Sequence, residues 1–555
     1  MAEKNTYGQI LKSSAMIGGS SVINIAISIV RAKAMAVMLG PAGIGLMGLY
    51  QAIADLVTSV AGMGINNSGV RQIAEAVGTR DIERIARTAT VLRRISIFLG
   101  VLGAALLAVF SGPLSAFTFG NDQHTLAVAF LSMAIFFNLV SAGQGALING
   151  MRRISDMAKM GVLGTVFGTL ISITAVYFLG ENGLVLSLVL FSVMGTLLSW
   201  LYSRKIHIKP IVIDAYVVRK EVAALVKLGF AFMVSALLMS GAAYAVRMLV
   251  VREAGLDAGG LYQAAWTLGG LYIGFILQSM GTDFYPRLTA VAHDNSECNR
   301  MVNEQAYISL LLAGPGVIAT LTFAPLVILF FYTPKFEGAV EILRWLCLGM
   351  TLRVISWPMG FIIVAKGVQN LLIFSELAWT VVYLGLAWLF VSYFKLKGAG
   401  IAFFGSYIFH VFMIYLMVRR LSGFRWSSAN IQTGLLFLSL IAVTFCSFYS
   451  LPPLLAMGVG ILAIFLSGAY SIQVLLNLIS MDRIPAPVLK ILRLFRLVPS
   501  SSNECCKFRP MVALKAGDTL DQNWTKVDLK WLIFALMICI GFFMCFEWYG
   551  GAFEG

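Results

Sequence analysis

Apolar runs of about twenty residues recur along nearly the whole chain, separated by short charged or Gly/Pro-bearing segments. Bounded in this way, they predict fifteen spans: 14–38, 44–69, 95–118, 125–149, 159–179, 183–202, 226–250, 259–283, 305–332, 341–366, 370–393, 399–418, 431–449, 454–478 and 531–548. About 20 residues is the length of helix that crosses a hydrocarbon core of about 30 Å. A helix satisfies its own backbone groups there, where no water can. The pattern therefore predicts an all-α polytopic membrane protein.

Composition supports that class. Of 555 residues, 59% are hydrophobic and 12% charged, and mean hydropathy is +0.86. A soluble domain carries about 25% charged residues, so no large soluble domain is expected. The polar start, MAEKNTYGQILKSS, has no small-residue cleavage site and predicts an uncleaved first helix.

The net charge of +15 is distributed unevenly. Arg71, Arg80, Arg84, Arg87, Arg93, Arg94, Arg152, Arg153, Lys159, Arg204, Lys205, Lys209, Arg219, Lys220, Arg419, Arg420 and Arg425 all fall on one side of the spans. The alternate loops are short and nearly free of Lys and Arg, with Arg252, Lys335, Lys395 and Lys397 as exceptions. Basic loops stay cytoplasmic, which places the N-terminus inside and accounts for the charge without nucleic acid. An odd number of spans places the C-terminus outside. The stretch 481–530 reads as a basic cytoplasmic linker against anionic lipid, with an interfacial helix at its start. The seven cysteines have neither metal-type nor disulfide spacing, so no cofactor or metal is expected.

The chain repeats itself. VRAKAMAVMLGPAGIGLMGLYQAIADL starts at Val30, and VRMLVVREAGLDAGGLYQAAWTL starts at Val246. Arg31 matches Arg247, Gly40 matches Gly255, and Leu49–Tyr50–Gln51–Ala52 matches Leu261–Tyr262–Gln263–Ala264. Met63–Gly64 before Arg71 matches Met280–Gly281 before Arg287. Six spans separate the copies. An even number keeps the orientation, so the halves relate by a parallel pseudo-two-fold along the membrane normal. The expected organisation is a six-helix bundle over 1–210, a second over 211–425, an extra pair over 426–480, the linker 481–530, and a further helix over 531–555. Two bundles facing each other enclose a central cavity, and rocking them gives alternating access.

A charge inside a span costs about 2.5–3.5 kcal/mol on insertion scales, so it needs a partner, water or a function. Arg31, Lys33, Arg247 and Arg353 are the candidate cavity cations. A guanidinium suits phosphate because its planar fork binds two oxygens. Structural alternatives stand beside this reading. Lys33 and Arg247 can snorkel to the outer interface, and Arg31 can bridge to Asp55. Arg353 is too central to snorkel. Asp55 and Glu376 are candidates for ion coupling or for neutralising an arginine. Gln51 and Gln263 can meet sugar hydroxyls or bond neighbouring helices. His410 reads as a packed histidine, Asp283 as interfacial, and Gly164-x-x-x-Gly168 as a helix-packing motif.

No G-x-x-x-x-G-K-[ST] phosphate loop is present, and no nucleophile–base set is recognisable, so neither ATP hydrolysis nor an enzyme is expected. GPAGIG at 40–45, KFEGAVEILRWLCLGMTLRVISWPMGFIIVAKG at 335–367, the following FSELAW, and GAGIAFFGSYIFHVFMIYLMVRR together resemble the Wzx-type O-antigen translocases and enterobacterial common antigen flippases. These belong to the multidrug/oligosaccharidyl-lipid/polysaccharide exporter superfamily, and the resemblance covers roughly residues 10–420. It implies transfer of undecaprenyl-pyrophosphate-linked oligosaccharide from the cytoplasmic to the periplasmic leaflet of a bacterial inner membrane. It also implies a cationic cavity at Arg31, Lys33, Arg247 and Arg353, and partners in membrane lipid, a polysaccharide polymerase and a chain-length regulator. Some relatives carry an extra helix pair that forms a groove for the lipid tail. The alternatives are a cation-coupled multidrug exporter of the same superfamily, which needs an acidic cavity, and a non-transporting scaffold for polysaccharide assembly.

Overall fold

The computed structural model of the protein describes residues 2–79, 81–206, 214–279 and 284–478, and every regular element among them is helical. The predicted fifteenth span, the linker from 481, the boundary at 210/211, Asp283 and the Met280–Gly281 repeat match lie outside the described residues. Among the described residues, eleven helical segments are long and apolar enough to cross a bilayer. Three of them, Ile23–Ala61, Ile154–Arg204 and Phe232–Gly274, each carry two predicted spans.

The first two spans form one element, α1 (Ala2–Ala61), broken at Gly40 with φ 65 and ψ −169. Spans 7 and 8 form α8 (Ala215–Ser279), broken at Gly255 with φ 88 and ψ 172. That backbone region is essentially closed to residues with a Cβ. The glycine pair matched in the sequence repeat thus makes the same break in both halves.

The remaining elements are α2 (Ile65–Gly78), α3 (Ile82–Val109), α4 (Ser111–Phe119), α5 (Thr125–Gly150), α6 (Ile154–Leu179) and α7 (Gly183–Arg204) in the first half. The second half has α9 (Tyr285–Ala290), α10 (Asn295–Thr322), α11 (Ala324–Phe331), α12 (Ala339–Ala365), α13 (Gln369–Phe394) and α14 (Leu396–Ser422), followed by α15 (Ser428–Ser450) and α16 (Pro453–Leu478). In the first half α5 packs on α3 and α7, and α6 on α7 and α1. In the second, α12 packs on α14 and α10, and α13 on α14 and α8. The α15–α16 pair lies on α10, where Phe437 sits against Gly314 and Thr322 against Gly460. Large apolar side chains such as Phe98, Val101, Leu106, Phe330 and Phe465 point outward, as a lipid-facing surface requires.

Several boundaries differ from the sequence expectation: α8 begins at Ala215 rather than 226 and α10 at Asn295 rather than 305, and two more lie in the first half. The second span stops at Ala61 rather than 69, because Met63 (φ 46) and Gly64 (φ 64) turn the chain. A separate helix α2 follows, with Ile65 and Ile73 buried against Leu92, Leu99 and Ala146. The third span begins thirteen residues earlier than expected, at Ile82 rather than 95. The arginine-rich stretch read as a loop continues the helix, with Arg87 bonded to Glu83 one turn back at 2.8 Å.

The repeat reaches further than its sequence shows. Both α3 and α10 have 28 residues. Asp81 caps the first by accepting from Arg84 N–H, and Asp294 caps the second by accepting from Ser296 and Glu297 N–H. Each helix ends at a phenylalanine, Phe110 (φ −90, ψ 11) or Phe323 (φ −94, ψ 17). A short helix then starts with Pro-Leu in its first turns, as Pro113–Leu114 in α4 and Pro325–Leu326 in α11.

Candidate functional site

The halves meet most extensively where α1 lies on α8. Glycines permit the approach. A Cβ on Gly260 would sit 1.9 Å from Pro41 O, and one on Gly45 would sit 2.3 Å from Leu256 O.

The repeated Leu-Tyr-Gln-Ala unit straddles this seam, and its residues divide the work. Tyr50 is 2% exposed and its hydroxyl meets His124 Nδ1 of its own half at 3.0 Å. Tyr262 is also 2% exposed and its hydroxyl lies 3.4 Å from that of Tyr383 in α13 of its own half. The tyrosines anchor, and the glutamines beside them are presented at the seam. Gln51 is exposed and donates from Nε2 to Asp55 Oδ1 at 2.9 Å. Gln263 accepts from Arg247 Nε at 2.8 Å, and Gly48 of the other half approaches it closely. Arg247 also donates to the Ala243 carbonyl at 3.2 Å. Asp55 is exposed and lies in the field of Arg247. A carboxylate exposed in mid-span cannot face hydrocarbon cheaply. Its exposure toward the opposite half implies water between the halves.

Four of the eight candidate positions are thus brought together: Gln51, Asp55, Arg247 and Gln263. Arg353 belongs to a second cluster in the C-terminal half. Its guanidinium lies over the Trp357 ring, 4.7 Å from the centroid, and its buried Nε has no hydrogen-bond partner among the described residues. Its charge reaches Tyr407 and His410 on α14. His410 Nδ1 meets Ser356 Oγ at 3.1 Å, and Trp379 stacks on Tyr383 at 5.2 Å between centroids. Rings therefore run from Tyr262, which feels Arg247, through Tyr383 and Phe403 to Tyr407 and His410.

The other three candidates stand apart. Arg31 packs its guanidinium over Phe191 of α7 at 4.8 Å, with its buried Nε unpartnered. Asp55 meets Gln51 and the field of Arg247 rather than a bridge to Arg31. Glu376 is bonded to Ser235 of α8, and its Oε2 is buried without a partner. Lys33 donates to the Leu329 carbonyl at 2.7 Å and to the Tyr332 carbonyl, both in the opposite half.

Sequence reasoning missed the ring cluster of Trp357, Trp379, Tyr383 and Tyr407, because aromatic residues on apolar helices look alike from the chain. Two signals were available: the repeated tyrosine beside each repeated glutamine, and Trp357 one helical turn from Arg353.

The family model described as "Polysaccharide biosynthesis protein" matches residues 34–341, more than half of the chain. A lipid III flippase of Escherichia coli (strain K12) is 22% identical over 421 residues, covering 74% of this chain and 99% of its own. A protein of Shigella flexneri provisionally named an O-antigen transporter is 24% identical over 371 residues, covering 66% of this chain and 87% of its own. Among solved structures, the lipid II flippase MurJ in an inward closed conformation superposes with a TM-score of 0.62 at 13% identity, covering 84% of this chain and 99% of its own. The last likeness shows the fold alone, that of a polytopic all-α transporter.

Proposed function

The chain belongs to the polysaccharide biosynthesis protein family, and from that premise we propose that it flips a polyprenyl-pyrophosphate-linked oligosaccharide, an O-antigen-like unit, across a bacterial inner membrane. The observation that carries the reading is Arg353. A guanidinium in mid-span holds its plane against Trp357 and leaves a buried Nε–H without an acceptor. An unsatisfied buried donor is costly, and a pyrophosphate supplies the acceptor oxygens that relieve it in bidentate geometry.

Arg247 and Arg31 provide the further positive charge, and Lys33 stands at the rim. The exposed Gln51 and the half-buried Gln263 offer amide groups to sugar hydroxyls at the wet seam. The polyprenyl tail stays in lipid. Asp55 and Glu376 carry the coupling ion, since Asp55 faces water and Glu376 has a free buried oxygen. The basic loops set the N-terminus on the cytoplasmic side, where the substrate is made. A polymerase and a chain-length regulator act on the product at the opposite leaflet. The chain itself forms no bond and needs no cofactor.

The test is transport of a fluorescent polyprenyl-pyrophosphate oligosaccharide in proteoliposomes, with Arg353→Ala and Arg353→Lys beside the wild type. Each lost charge-assisted hydrogen bond is worth about 1.5–3 kcal/mol, so Arg353→Ala loses tenfold to a hundredfold or more. Arg353→Lys recovers part of it, keeping charge but not the fork. A folded Arg353→Ala protein that transports like wild type removes Arg353 from the site. Absence of transport by wild type removes the function.

A further inference from the structure

The face of the molecule opposite the arginine-rich loops carries a reciprocal contact between the halves. The short helix α4 ends at Phe119. Its own chain satisfies the Ala116 carbonyl, through Gly120 N–H at 3.0 Å. The next carbonyl, Phe117, is taken by Nη2 of Arg252, which comes from α8 of the other half and lies over the Phe117 ring at 5.2 Å. The equivalent helix α11 ends at Phe331. Its chain satisfies Ile328 through Tyr332 N–H at 2.8 Å. The next carbonyl, Leu329, is taken by Nζ of Lys33 at 2.7 Å, which comes from α1 of the other half and also reaches Tyr332 O. Thr118 Oγ1 and Tyr244 OH, 2.6 Å apart, add a third bond between α4 and α8.

We propose that Lys33 and Arg252 form two pseudo-symmetric clasps that hold the halves together on this face, and that the face opens when both release. In each clasp a cation from the long broken helix of one half closes on the first unsatisfied carbonyl of the short helix in the other. The two cations do not align in the repeat: Lys33 precedes its break at Gly40 by seven residues, and Arg252 precedes Gly255 by three. The carbonyls they take do occupy equivalent places. The repeat thus converges on one interaction from different positions, which incidental packing has no cause to do.

The chemistry suits a gate. The end of a helix carries roughly half a negative charge on its free carbonyls, so a cation there is favoured. A carboxylate would bind more strongly and hold the face shut. A main-chain carbonyl gives a bond that thermal exchange and a bound substrate can overcome, and a two-state equilibrium that a ligand must reverse has to be only modestly biased. This explains why Lys33 and Arg252, two cations near the membrane edge, pair with main-chain carbonyls rather than with a carboxylate among the described residues. It goes beyond the transport reading and concerns the conformation alone.

Spin labels at Asp122→Cys and Lys335→Cys, both exposed beside the two short helices, report the opening in full-length protein whose seven native cysteines are replaced. Pulsed dipolar distances in proteoliposomes are compared for the unsubstituted background, Lys33→Met, Arg252→Met, the pair, and Lys397→Met. Lys397 is a cation of the second half paired with Glu341 of the same half, and it controls for charge removal. Each clasp variant is expected to move the closed-to-open ratio about tenfold toward longer distances, the size of one charge-assisted bond, and the pair further still. Should a methionine variant fail to fold, Lys33→Gln or Arg252→Gln serves. A double variant with the background's distances, or an equal shift in Lys397→Met, overturns the clasps. Neither result bears on transport of pyrophosphate-linked glycan, which the Arg353 experiment decides separately.

Discussion

Gly40→Ala and Gly255→Ala probe the repeat through the backbone alone. Both glycines hold φ at 65 or 88 with ψ close to 180, a region that costs a residue with a Cβ about 1–3 kcal/mol. A Cβ at either position meets no atom within 4 Å. The loss is therefore conformational strain, uncontaminated by a clash. Two further glycines calibrate it. Gly120 sits in the ordinary left-handed region with φ 76 and ψ 5 and is equally open, so Gly120→Ala costs about 1–2 kcal/mol. Gly78 is helical and open, so Gly78→Ala is neutral or stabilising by up to about 1 kcal/mol. Thermal midpoints in detergent should fall most, and about equally, for Gly40→Ala and Gly255→Ala, less for Gly120→Ala, and not at all for Gly78→Ala. The two breaks adjoin the same seam, where Pro41 meets Gly260 and Leu256 meets Gly45, so the double variant should depart from additivity. A Gly40→Ala protein that melts with Gly78→Ala would refute the claim that this glycine sets the break. Unequal losses at 40 and 255 would refute the equivalence of the halves.

Valine at Gly260 or Gly45 places carbon against Pro41 O or Leu256 O, so each variant should lose transport and thermal midpoint together, although neither residue touches the proposed ligand. Asp81→Ala and Asp294→Ala each remove a helix cap and should each cost about 1 kcal/mol in unfolding experiments. Burial lowers the pKa of His124, outside the spans, below 6.5, with Glu181 opposing. Its contribution is then full above pH 6.5 and lost as the pH falls through the lower folded value, so His124→Asn should flatten the acid limb of a stability–pH profile. Arg247→Met and Gln263→Leu, bonded at 2.8 Å, should show non-additive losses in a double-mutant cycle of glycan binding; additive losses would separate them.

The class of this protein was written in its chain. Runs of about twenty apolar residues can only be helices in hydrocarbon, and that follows from backbone hydrogen bonding without reference to neighbours. The repeat was legible too, because Gly40 and Gly255 serve a backbone need that no other residue meets as readily. The pattern misjudged boundaries even where a glycine marks one, as Gly64 does at the end of the second span. The arginines of 82–94 looked like a loop because charge argues against membrane, yet Asp81 caps a helix there and Glu83 pairs with Arg87. Intramembrane cations stand out in the chain as exceptions to the hydrophobic pattern, but their roles depend on what packs beside them. Arg31 and Lys33 are two residues apart, and one meets a ring in its own half while the other meets carbonyls in the opposite half. Neighbours on a helix point about 100° apart, so adjacency in sequence says nothing of shared surroundings. Tertiary structure alone put Gln51 and Gln263 at the seam, brought Tyr407 and His410 of α14 into the field of Arg353, and set Lys33 and Arg252 on equivalent carbonyls, since each of those contacts joins segments that the chain keeps far apart.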